Sequence, residues 1–106
     1  MAQTKRDQHT KQEHIDLMAA NGKGWPVRPF LPLMRRRKGE AEFAVLISGK
    51  RWDRVLVEAN LVEAMMAYGH YGERVTAKEF VRWAGQFPQR RFDSFEAIYR
   101  AGWRVD

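Results

Sequence analysis

The chain has 106 residues, 44% of them apolar, with six Phe, four Trp, three Tyr, no cysteine and a net charge of +6. A chain of this length holds one domain and buries roughly two-thirds of its unfolded surface, enough to fold without staples. The missing cysteines exclude a disulfide framework, a Cys-based zinc site and a Cys nucleophile, and the apolar content speaks against wholesale disorder.

Reading from the N-terminus, Met1-Ala-Gln-Thr-Lys-Arg leads into polar sequence with none of the apolar stretch of a secretory signal. The longest unbroken apolar runs are of five residues, as in Phe43 to Ile47, far short of the ~20 residues of a membrane span. The expectation is a cytoplasmic protein with no membrane partner, whose residues 1–9 form a flexible tail. Thr10-Lys-Gln-Glu13 then has the spacing of a capping box, in which the Thr side chain takes the third helical N–H and the Glu reaches back to the cap. It opens a helix with Ile15 and Met18 on its inner face, stopped by Asn21-Gly22.

Residues 23–54 form a basic linker and hairpin segment that holds the whole charge excess, with nine bases against Glu40, Glu42 and Asp53. On either side of it acids and bases cancel, three against three in residues 1–22 and seven against seven in residues 55–106. Such a concentration reads as an electrostatic footprint. The segment begins with Gly24-Trp-Pro26-Val-Arg-Pro29-Phe-Leu-Pro32, whose prolines repeat every three residues as in a polyproline II helix. Lys23, Pro26 and Pro29 match a basic Pro-rich recognition spacing. The favoured reading is a stiff linker that lays Trp25 and Phe30 on the core. Phe30–Arg37, Glu42–Ser48 and Trp52–Glu58 follow, rich in branched and aromatic residues and separated by Lys38-Gly39 and Gly49-Lys50. They read as a three-stranded antiparallel meander. Pro32 has no N–H for a ladder, so the first strand is expected at an edge or bulged.

Three further capping-box spacings, Asn60–Glu63, Thr76–Glu79 and Asp93–Glu96, open helices that end near Tyr68, Gln86 and Ala101. The fold class is therefore α+β: one domain over 1–106, with a small three-stranded antiparallel meander preceded by one helix and followed by three short helices. The helices are expected on one face of the sheet.

Chemistry-bearing motifs are few. Arg35-Arg36-Arg37-Lys38 ends the first strand, and Lys50, Arg51 and Arg54 occupy the second turn and third strand. Guanidinium forks match phosphate geometry, and Trp25 and Trp52, interspersed with these bases, are candidate stacking groups for nucleic-acid bases. The same charges also suit a solubilising role on a hairpin edge. His9 and His14 are five residues apart and His70 lies in a glycine-rich loop, so no metal-ligand spacing arises. Tyr68-Gly-His-Tyr-Gly72 precedes no Lys-Ser/Thr and follows a helix, unlike a phosphate loop. Ser48 and Ser94 lie in no nucleophile elbow. The last two helices, with Arg90, Arg91, Arg100 and Arg104, make a weak helix-turn-helix candidate because their connection is long.

The expectation is a small basic, non-catalytic binding module with no metal and no cofactor, its oligomeric state open. The first reading is contact with nucleic acid, DNA or RNA unresolved, through Arg35, Arg36, Arg37, Lys38, Lys50, Arg51 and Arg54, with Trp25 and Trp52 as possible stacking groups. The alternative is a protein-interaction module, an inhibitor or adaptor of a larger host enzyme, docking on an acidic protein surface. In size and in its Trp- and Arg-rich style the chain resembles accessory proteins of phages and mobile elements, a likeness of type that transfers no residue.

Overall fold

The structure, a computed structural model, describes residues 9–68 and 77–106. The expected tail up to residue 8, Thr76 of the third capping box and the Gly69–Gly72 part of the glycine-rich loop lie outside the described residues. Helix α1 spans Lys11–Ala19, strand β1 Phe30–Arg37 and strand β2 Glu40–Ile47; a 3-10 turn over Lys50–Trp52 leads to β3, Val55–Val57. Helices α2 (Leu61–Tyr68) and α3 (Ala77–Ala84) follow, then β4 (Gln89–Arg91), α4 (Phe95–Arg100) and β5 (Arg104–Val105). The strands form one antiparallel sheet in the order β4-β3-β2-β1-β5.

The fold is α+β, as the sequence pattern predicts, but the sheet has five strands where three were expected. β1 and β2 make the long hairpin, in register from Phe30↔Ile47 to Arg37↔Glu40. β3 is shorter than predicted because Lys50–Trp52 turn as a 3-10 helix before the strand begins. β4 is polar and exposed along its length and β5 has two residues, so neither carries the apolar alternation by which a strand is recognised. Pro32 sits in a strand flanked on both sides, not at an edge. Its carbonyl accepts the Asp106 N–H at 3.0 Å, on the β5 side. The N–H that proline lacks would point the same way, so no bond to β2 is lost.

The helices cover both faces of the sheet, which corrects the single-face expectation. On one face Leu31, Leu33, Ala44, Leu46 and Leu56 pack with Met18 of α1, Ile98 of α4, and Trp25, Phe92, Trp103 and Val105. On the other face Phe30, Val45, Ile47, Val55 and Val57 pack with Ala64 of α2, Phe80 of α3 and Ala59. Double burial explains the unbroken apolar runs Ala44–Ile47 and Val55–Val57, since strands covered on both sides lose their alternation. Burying each large side chain in these cores is worth roughly 1.5–3 kcal/mol. α3 and α4 stand on opposite faces with β4 between them, which rules out the helix-turn-helix arrangement.

Two capping boxes form in full among the described residues. Thr10 Oγ1 accepts from the Glu13 N–H at 3.2 Å while Glu13 Oε1 accepts from the Thr10 N–H at 2.9 Å, and Asn60 and Glu63 do the same at 2.8 and 3.1 Å. At α4 the cap is Ser94, whose Oγ accepts from the Ala97 N–H at 3.0 Å, and not Asp93. Glu96 instead meets Lys11 at 3.3 Å and Arg100 at 3.2 Å, tying α4 to α1. No helix among the described residues is long and apolar enough to cross a membrane.

Candidate functional site

The β1–β2 hairpin runs further than the sheet that supports it. β3 pairs with β2 only at Val45 and Leu46, and β5 pairs with β1 only at Leu33 and Met34. The rungs Arg35↔Glu42, Arg36↔Ala41 and Arg37↔Glu40 thus have no third strand among the described residues. Together with the Lys38-Gly39 turn they make a two-stranded arm. Residues 36–41 are all exposed. At 3.3–3.4 Å per residue, three rungs carry the tip about 10 Å beyond the body of the sheet.

The turn is a tight two-residue one. Lys38 and Gly39 have φ of 52° and 82°, the pair of left-handed residues that matches strand twist in a hairpin. Gly39 accepts this conformation without cost. Lys38 carries a Cβ there, a position where Asn, Asp or Gly is usual.

The root of the arm is fixed by Arg35. Its Nε donates to Glu42 Oε1 at 2.6 Å and its Nη1 to the Ala101 carbonyl at 3.2 Å. The guanidinium lies over the ring of Trp103, 4.5 Å from the centroid, and the side chain is only 16% exposed. Trp103 itself is 1% exposed. A cation held by a carboxylate, a carbonyl and an indole face is already engaged; Arg35 positions the arm.

Beyond Arg35 the cations change character. Arg36, Arg37 and Lys38 are exposed, and no side-chain hydrogen bond, ion pair or ring contact with another described residue engages them. The register puts Arg36 on the face opposite Arg35 and Arg37.

The remaining predicted bases lie at the far end of β2, about 25 Å away by strand length. There Arg54 (φ 56°) donates to Asp53 Oδ2 at 3.0 Å and to the Asp93 carbonyl at 2.7 Å. Lys50 and Arg51 are exposed in the 3-10 turn. Arg91 of β4 reaches the Arg51 carbonyl at 3.2 Å, so β4 brings Arg90 and Arg91 to this end. Sequence reasoning did not assign them here because β4 has no strand pattern of its own.

The two tryptophans are placed by packing. Trp25 is 5% exposed in the core and its indole Nε1 donates to the Leu17 carbonyl at 2.6 Å, so no ring face is open to a base. The linker does lay Trp25 and Phe30 on the core. Trp52 is half-buried, edge-on to Phe80 at 5.7 Å. His14 is buried, and its Nδ1 accepts the Val105 N–H at 3.1 Å, fastening α1 to β5. Among the described residues no group of three His, Asp or Glu side chains converges as a metal site.

A second surface feature is apolar. Val62 and Met66, one turn apart on α2, are 65% and 67% exposed, and Phe43 at the arm root is 47% exposed. Phe43 also borders an open groove of about 610 Å³ lined with Leu17, Pro26, Val27, Pro32 and Leu61.

Comparison with protein families, curated proteins and solved structures returns no match to this chain. The functional reading rests on the arm and its surroundings.

Proposed function

We propose that this protein is a small basic, non-catalytic nucleic-acid-binding module that makes contact through the β1–β2 arm. The observation that carries the reading is the pairing of a fixed root with unengaged cations. Arg35 is locked to Glu42, Ala101 and Trp103, whereas Arg36, Arg37 and Lys38 project on the arm with no side-chain hydrogen bond or ion pair to another described residue. A preorganised arm presents its cations to phosphates without first losing the entropy of ordering a loop. Within the original set, Arg36, Arg37 and Lys38 become the contact residues and Arg35 the residue that holds them. Lys50 and Arg51, exposed at the far end of β2, lie outside this contact surface, and Arg54 is engaged within its own turn.

The test is fluorescence anisotropy with labelled nucleic acids across a salt series, using the wild type and an Arg36→Ala, Arg37→Ala, Lys38→Ala variant. Two or three phosphate contacts imply a log–log salt slope of about −2 to −3 on duplex DNA. The expected result is binding with that slope in the wild type, and affinity lower by about tenfold or more in the variant, at an unchanged melting temperature. No binding, or equal binding by both proteins, overturns the reading.

The exposed Val62, Met66 and Phe43 favour a second reading, an interaction module that docks on an acidic protein surface. Aromatic residues, Met and Arg are enriched at protein interfaces. Under this reading the purified protein is free of nucleic acid and captures one dominant protein, and a Met66→Asp substitution abolishes the capture.

A further inference from the structure

We infer that the arm enters the major groove of B-form duplex DNA tip first, with Arg36 and Arg37 on the two phosphate walls and Lys38 at the base edges. This rests on the nucleic-acid reading above and names the form of nucleic acid. The first argument is size. The major groove is about 12 Å wide and about 8.5 Å deep and admits a two-stranded ribbon, whereas the minor groove is only about 6 Å wide. The free part of the arm, three rungs from Arg35↔Glu42 to Arg37↔Glu40, is about 10 Å long. Its root, where Arg35 is fixed and β5 begins, acts as the stop against the groove rim.

The second argument is the direction of the side chains. Arg36 and Arg37 are successive strand residues on opposite faces of the ribbon. A ribbon standing in a groove turns one face to each wall, so one guanidinium meets each strand's phosphates. Lys38 stands at the apex of the turn, where it meets the groove floor, while Glu40, directly opposite Arg37, shares that arginine's face. At the floor of a groove a lysine donates to O6 and N7 of guanine. The tip thus suits a G·C pair.

The third argument separates this occupant from the others. A single strand is held by stacking on exposed rings, and the tip residues Arg36 to Ala41 include none; the exposed ring of Phe43 lies back at the arm root, and the candidate rings Trp25 and Trp52 are packed elsewhere. A-form RNA has a deep, narrow major groove that a protein element does not enter.

The experiment compares a duplex DNA with G·C pairs at its centre, its A·T counterpart, the same sequence as duplex RNA, and single-stranded DNA, together with dimethyl sulfate footprinting of the DNA. The reagent reads guanine N7 in the major groove and adenine N3 in the minor groove. The expected result is tightest binding to the G·C duplex, at least about tenfold weaker binding to duplex RNA, and protection of guanine N7. That protection is lost in Lys38→Ala, and the salt slope falls by about two in the Arg36→Ala, Arg37→Ala variant. Circular dichroism and thermal melting establish that each variant is folded. Protection of adenine N3, or equal or tighter binding to RNA or single strands through the same residues, overturns the groove assignment and leaves the nucleic-acid reading standing. Absence of binding to every probe overturns both.

Discussion

The two ends of β2 carry comparable numbers of positive charges, and the protein treats them differently. At the far end Arg54 is tied to Asp53 and Asp93, Arg91 to the Arg51 backbone carbonyl, and Trp52 to Phe80, while Lys50 and Arg51 are exposed but spread along a turn with no strand to project them. At the arm the engaged arginine is Arg35, at the root, and the three residues beyond it are exposed with no side-chain partner among the described residues. Formal charge along a sequence therefore says where cations are, and only the register and the neighbours say which of them remain available to a partner. A cation on a buried ring with a carboxylate beside it is part of the framework.

The comparison breaks most severely at Trp103, on which the arm root rests. Trp103→Ala empties a site that is 1% exposed, with an expected loss of about 3–5 kcal/mol in chemical denaturation. A loss below about 1 kcal/mol would mean that the root is not built on this ring. Next in size is the contrast between the two engaged arginines. Arg35→Ala removes an ion pair, a carbonyl contact and a ring contact at a side chain 16% exposed, an expected loss of about 1–2 kcal/mol. Arg54→Ala, at 34% exposure, should cost less than about 1 kcal/mol. Equal losses would remove the distinction between a structural root and an ordinary surface pair.

Substitutions at the tip sharpen the comparison in the opposite direction. Lys38 holds a left-handed conformation, φ 52°, that asparagine adopts more readily. Lys38→Asn should raise stability by about 0.5–1 kcal/mol and raise the melting temperature while weakening nucleic-acid binding. A variant that is no more stable, or that binds as well as the wild type, would remove the case that this lysine is kept for its charge.

The smallest effect concerns α1 and α4, which carry no part of the arm. The Thr10 backbone N–H, with its hydroxyl, holds the Glu13 carboxyl below the usual value of 4.5, and Arg100 and then Lys11 do the same for Glu96. Both groups titrate lower in the folded chain than in the unfolded one. Each therefore contributes stability above the ordinary value that is lost as the pH falls through its lowered folded value. The contribution is small because both groups are at the surface. Denaturation midpoints measured between neutral pH and about pH 3 should decline slightly less in a Glu13→Gln, Glu96→Gln variant than in the wild type. Identical declines would show that these partners do not matter to the fold.

Much of the fold was legible in the sequence because its devices are local. The capping boxes at Thr10 and Asn60, the Lys38-Gly39 turn and the β1 boundaries each depend on residues within a few positions of one another. β4 and β5 depend on partners far along the chain, Gln89–Arg91 on Val55–Val57 and Arg104–Val105 on Leu33–Met34, and have no pattern to announce them. The double coverage of the sheet was written in the continuous apolar runs of β2 and β3, a signal that alternation-based reading passes over. In the candidate site, sequence located the cations and the hairpin. It did not separate Arg35 from its neighbours, since its partners Ala101 and Trp103 lie 66 and 68 positions away. Nor did it separate a core tryptophan, Trp25, from the half-buried Trp52.

The most direct measurement sets the two ends of β2 against each other with equal charge removed. Arg36→Ala, Arg37→Ala and Lys50→Ala, Arg51→Ala double variants, both shown to melt like the wild type, are titrated with the same labelled duplex over a salt series. The account predicts that the arm variant flattens the salt slope by about two and weakens binding by about tenfold or more, while the far-end variant stays close to the wild type. Equal losses in both variants, or a larger loss at the far end, would contradict the claim that the arm is the contact surface.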